Sequence, residues 1–103
     1  MEKKNIILED IENAIINCEF NKKGFVMESR QGGVLQTIKF SVKQFEEFIK
    51  FVILSPDNNT IVIGNGNDKI TVTCNGTSFS IHQVISWKNF HIKVTRAQLR
   101  QLI

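Results

Sequence analysis

Two tight-turn dipeptides, Asn65-Gly66 and Asn75-Gly76, cut the second half of the chain into runs too short for any regular element but a β-strand. Asn and Gly both accept the positive φ that a type I′ hairpin turn demands, so each pair marks a place where the chain reverses. The runs they separate, 60–64, 69–74, 77–83 and 90–95, are rich in β-branched residues and alternate in polarity. Alternation with period two is the pattern of a half-buried strand. The first half offers matching runs at 5–9, 14–20, 24–30 and 35–41, with Gly32-Gly33 as the tight turn before the last.

The two halves also align with each other. A shift of 54 residues overlays 5–49 on 59–103 without a gap and matches Asn5 with Asn59, Ile16 with Ile70, Asn21 with Asn75, Phe25 with Phe79, Ile38-Lys39 with Ile92-Lys93 and Gln44 with Gln98. Each fourth run leads into the same helix start, Ser41-Val42-Lys43-Gln44 and Thr95-Arg96-Ala97-Gln98. In this capping box the hydroxyl and the later Gln side chain satisfy two orphan amides reciprocally. Helices are therefore expected over 42–54 and from Arg96 onward, the first with Val42, Phe45, Phe48, Ile49 and Val52 on one stripe. The fold class expected is α+β: two tandem ββββα repeats, 5–54 and 59–103, joined by a linker at 55–58 within a single domain 1–103. The sheets are expected to be antiparallel, with the helices packed together on one side.

Composition fits such a domain. Hydrophobic residues make up 42% and charged residues 22% of the 103, which excludes disorder and fibrous repetition and leaves room for one core. The longest apolar run, 51–54, is far short of the ~20 residues a spanning helix needs. The apolar stretch Ile6-Ile7-Leu8 is too short for a signal peptide, so the expectation is a cytoplasmic protein with no membrane partner. Cys18 and Cys74 are too few for a disulfide framework and fall on inward positions, where they read as small core residues.

Charge is distributed unevenly. Over residues 1–54 Lys and Arg balance Asp and Glu, so the formal charge of +3 lies wholly in the second half, where Lys69, Lys88, Lys93, Arg96 and Arg100 face only Asp57 and Asp68. Pairing the hairpin about Asn75-Gly76 sets Ile70 opposite Ile81, Val72 opposite Phe79, Lys69 opposite His82 and Thr71 opposite Ser80. The fourth strand then adds Ile92 beside Ile81 and His91 beside His82. One face is apolar. The other carries Lys69, Thr71, Thr73, Ser80, His82, His91, Lys93 and Thr95 and no acid, whereas the matching face of the first half mixes Lys39 with Glu19 and Glu28. An anionic partner is expected on the second sheet.

Individual residues carry two readings each. Trp87, beside Lys88 at a hairpin tip, either stacks on an unpaired base or folds back over Val84, Ile85 or a neighbouring chain. His82 and His91 read as a solvated cross-strand pair rather than metal ligands, since no third ligand lies near them in either half. Lys22-Lys23 reads as a solvated turn. No nucleophile elbow, phosphate loop, zinc motif or paired His and carboxylate is present, so neither an enzyme nor a bound metal or cofactor is expected.

The order ββββα twice, with Ile38-Lys39-Phe40-Ser41-Val42-Lys43-Gln44-Phe45 and Ile92-Lys93-Val94-Thr95-Arg96-Ala97-Gln98-Leu99 as its most similar segments, resembles the Whirly and transcriptional-coactivator superfamily of single-stranded-DNA-binding proteins. That resemblance implies a sheet surface that holds single strands and stacks bases on aromatics, in transcription, replication or recombination. The expected function is thus non-enzymatic binding of single-stranded DNA or RNA by Lys69, Thr71, Ser80, His82, Trp87, Lys88, His91 and Lys93, with Lys39 as an outlying cation. The alternative is a protein-interaction or assembly module without nucleic acid. It rests on Phe51, Ile53 and Leu54, which exceed one helix stripe and favour a homo-oligomer.

Overall fold

The computed structural model describes residues 4–9, 15–31, 33–54, 58–64, 66 and 69–101. Eight strands and two helices follow one another: β1 (Lys4–Glu9), β2 (Ile15–Asn21), β3 (Gly24–Gln31), β4 (Val34–Ser41), α1 (Val42–Leu54), β5 (Asn59–Ile63), β6 (Ile70–Cys74), β7 (Ser78–Ile85), β8 (Lys88–Thr95) and α2 (Arg96–Leu99). The strands form two antiparallel sheets in sequential order, β1-β2-β3-β4 and β5-β6-β7-β8. Of the segments expected to link and flank these elements, 55–57 and the last two residues lie outside the described residues.

The expected α+β class is corrected: the chain is mostly β, and its halves are not two copies of one ββββα unit. Both capping boxes form. The Ser41 hydroxyl accepts from the Gln44 amide at 3.1 Å and the Gln44 side chain accepts from the Ser41 amide at 2.9 Å, while Thr95 and Gln98 repeat the exchange at 3.1 and 2.9 Å. A cap fixes where a helix begins and leaves its length to the residues that follow. After Ser41 the apolar positions recur for 13 residues. Among the described residues after Thr95, only Leu99 joins the apolar core, beside the buried Gln98, and the helix is a single turn of 4 residues. Among the described residues the helices pack chiefly on strands rather than on each other: α1 rests on β3, β4 and β5, and α2 on β8 and β1.

Alternation along the strands builds the core. Ile70, Val72, Cys74, Phe79, Ile81, Ile92 and Val94 point inward from the second sheet, and Ile16, Cys18, Phe25, Met27, Ile38 and Phe40 from the first, all buried. Phe25, Phe45 and Phe20 stack with centroids 4.4 to 5.2 Å apart, and Phe40 meets Phe48 at 5.2 Å. Phe51, expected to exceed the stripe, is instead buried against Phe79 at 6.2 Å. Ile53 and Leu54 do remain exposed.

The sheets meet along β4 and β8, the last strand of each. Two glutamines close this seam. Gln83, 1% exposed, accepts from the Lys39 amide at 3.4 Å and donates to the Lys39 carbonyl at 3.3 Å. Gln36 accepts from the His91 amide at 3.0 Å. Edge amides and carbonyls that a further strand would otherwise seek are thereby satisfied within the chain. Arg96 ties the rest: it donates to the carbonyls of Gly76 at 3.3 Å and Val52 at 3.1 Å and lies 4.9 Å over the Phe79 ring. Among the described residues no helix is long and apolar enough to cross a membrane.

Candidate nucleic-acid interface

The β7–β8 hairpin closes through two residues, Ser86 and Trp87, with Ile85 paired to Lys88. Both take positive φ, 49° and 70°, the type I′ geometry whose twist suits a hairpin. Gly33, at φ 79°, holds the corresponding place in the β3–β4 turn. A side chain in the left-handed region costs roughly 1–2 kcal/mol relative to the right-handed one, so the second hairpin carries a tryptophan where glycine would fold more easily. Trp87 is 97% exposed. The reading in which it folds back over Val84 and Ile85 is therefore corrected.

Below this tip lies a groove of about 710 Å³. Four of the expected residues line it: Lys69, Thr71, His82 and Trp87. They come from four places in the chain, the approach to β6, the start of β6, the middle of β7 and the β7–β8 turn, and antiparallel pairing brings them together. Thr71 pairs with His82, and His82 with His91, so the three lie in one row across neighbouring strands. The next row is Thr73, Ser80 and Lys93. Ser80, His91 and Lys93 thus share the outer face with the groove without lining it. Among the described residues this face holds no acid, since Thr60, Val62, Val84 and Asn89 complete it.

The register differs from expectation at one turn. Thr71 pairs with His82 rather than Ser80, and Val72 with Ile81 rather than Phe79, a shift of two residues. The cause is a wider loop: the Asn75 amide donates to the Ser78 carbonyl at 3.0 Å and the Ser78 hydroxyl to the Asn75 side chain at 2.7 Å. A shift of two keeps every side chain on its face. Ile81 with Ile92 and His82 with His91 pair as expected.

Two expected cations stand apart. Lys88 pairs with Ile85 and shares the side of Phe90 and Ile92, two and four residues on, so it falls on the opposite side of the ribbon from His91 and Lys93 and does not line the groove. Lys39 is exposed on the first sheet, where Val26 is its cross-strand neighbour and Glu28 and Glu19 share its face. Gly66, Val84, Ile85 and Ser86 complete the groove and were not among the expected binding residues. Continuing the alternation past Gln83 turns Val84 outward, where a β-branched residue on a polar face is the signal that marks it.

The remaining candidates have no part in this surface. The His82 and His91 rings lie 6.3 Å apart edge to face, and among the described residues no group of three His, Cys, Asp or Glu could hold a metal. Burial pushes the Cys18 thiol up to about 12, which keeps it protonated and unreactive. Lys22 and Lys23 sit exposed in the β2–β3 turn, where Asn21 accepts from the amides of Lys23 and Gly24. Comparison with protein-family models, curated proteins and solved structures gave no match.

Proposed function

We propose that the protein binds single-stranded nucleic acid, DNA in the first instance, on the outer face of the second sheet, without catalysing a reaction. The observation that carries this reading is Trp87, a fully exposed indole held by a strained two-residue turn at the lip of a groove that contains Lys69. Backbone strain kept at an exposed aromatic is a feature the fold does not need, and its use lies in presenting a flat ring to an unpaired base. Lys69 and Lys93 supply the cations for the backbone, and Thr71, Ser80, His82 and His91 supply hydrogen bonds. Arg96 is unavailable for this task because the fold already uses its guanidinium.

Anisotropy of a labelled oligothymidine tests the reading. Binding is expected to weaken as salt rises, with a log–log slope of roughly −2 for about three phosphate contacts on a single strand. A slope near zero would point to contacts that do not involve phosphate and would count against it. The second reading, an assembly module, is favoured by a different surface, the exposed Ile53 and Leu54 of α1.

A further inference from the structure

The outward side of α1 carries a second, apolar surface whose form is self-complementary. Phe45, Ile49, Ile53 and Leu54 line a groove with Glu46 and Lys50 at its rim. A neighbouring depression is lined by Ile61 and Val62 of β5 together with Glu47, and Lys50 and Leu54 line both. The two shared residues therefore form a ridge between two hollows. Ile53, Leu54 and Val62 are 59%, 68% and 55% exposed, which is unusual for three neighbouring apolar side chains.

An isologous contact requires one patch to offer both the projection and the recess, because the same surface meets itself across the two-fold axis. This patch offers both. Its charges obey the same symmetry. An axis crossing α1 near Ile49 runs the two helices antiparallel and sets Phe45 of each copy against Ile53 of the other. Glu46 and Glu47 lie within a turn of that axis on its N-terminal side and Lys50 on its C-terminal side. Each copy thus brings its acids beside the other's Lys50, whereas a parallel arrangement would stack like on like. We propose that the protein forms a two-fold dimer through α1, the occupant of the apolar groove being the Leu54 ridge of a second copy. The proposal does not depend on nucleic-acid binding: neither hollow shares a residue with the groove under Trp87, and the patch meets that sheet's outer face at Val62 of β5 alone.

Sedimentation velocity over a concentration series, without nucleic acid, tests it. The wild-type chain should pass from monomer to dimer in the micromolar range. Ile53→Glu should remain monomeric with an unchanged circular dichroism spectrum, because the side chain it replaces is exposed in the single chain. Glu46→Lys and Lys50→Glu should each weaken the dimer roughly tenfold by placing like charges across the axis, and the double exchange should restore it. A folded monomer at every concentration overturns the dimer. A dimer that the double exchange fails to restore, or that neither single reversal weakens, overturns the antiparallel pairing on α1.

Discussion

Trp87 and Cys18 show how a single position can be read from its surroundings. Trp87 combines φ 70° with almost complete exposure, so replacing it by glycine removes a conformational cost and no packing. Trp87→Gly is expected to melt no lower than the wild type in a thermal scan, yet to lose about 1–3 kcal/mol of oligothymidine affinity. Loss of both would mean that the indole holds the fold together. Cys18 is the opposite case, 1% exposed, with its thiol pushed from 9.0 to about 12 by burial. The folded chain keeps this proton while the unfolded chain releases it above pH 9.0, so the stability it contributes is full below that pH and is lost as pH rises toward 12. The slope is about 1.4 kcal/mol per pH unit. Urea unfolding of the wild type and Cys18→Val at pH 8 and above pH 10 should therefore show the wild type losing more, and equal losses would contradict the assignment.

At the scale of elements, caps and glutamines do what sheets and helices cannot do for themselves. Removing one cap hydroxyl, as in Ser41→Ala, should cost about 1 kcal/mol by urea titration, with α1 otherwise intact. Gln83→Leu should cost more, about 1–3 kcal/mol, because it leaves the Lys39 amide and carbonyl unpaired in a buried seam. The strands were legible in the sequence because Asn-Gly and Gly-Gly pairs punctuate alternating runs, and the observed bounds differ from the expected ones by two residues or fewer. Helix starts were legible because a capping box is local. Helix length was not, since a capping box fixes only a helix's start: the box at Ser41 opens 13 residues of helix and the one at Thr95 only four, and with eight strands beside them the fold is mostly β rather than the expected α+β. The pairing about Asn75-Gly76 was off by two because the Ser78 hydroxyl widens the loop, a contact between side chains that alternation cannot report. The seam itself had no signal: Gln36 and Gln83 are distant in sequence and neither belongs to a motif.

Across the whole molecule, polarity is divided three ways. The inner faces of both sheets form the core, the outer face of the second sheet carries cations and hydroxyls without an acid among the described residues, and α1 carries an apolar ridge. The first sheet shows what the second avoids, for Lys39 shares its face with Glu19 and Glu28. Sequence alternation was enough to find the acid-free face, because a sheet's two sides differ by parity alone, but it could not gather Lys69, Thr71, His82 and Trp87 into one groove or exclude Lys88 from it. The proposed function requires that the second face, and not the first, hold a single strand. Labelled oligothymidine titrated at low salt with the wild type, Lys93→Glu and Lys39→Glu, each confirmed folded, separates the two faces. The wild type should bind, Lys93→Glu should lose most of that affinity, and Lys39→Glu should lose little. A folded wild type that binds no single strand at low salt, or a Lys39→Glu variant as impaired as Lys93→Glu, would contradict it.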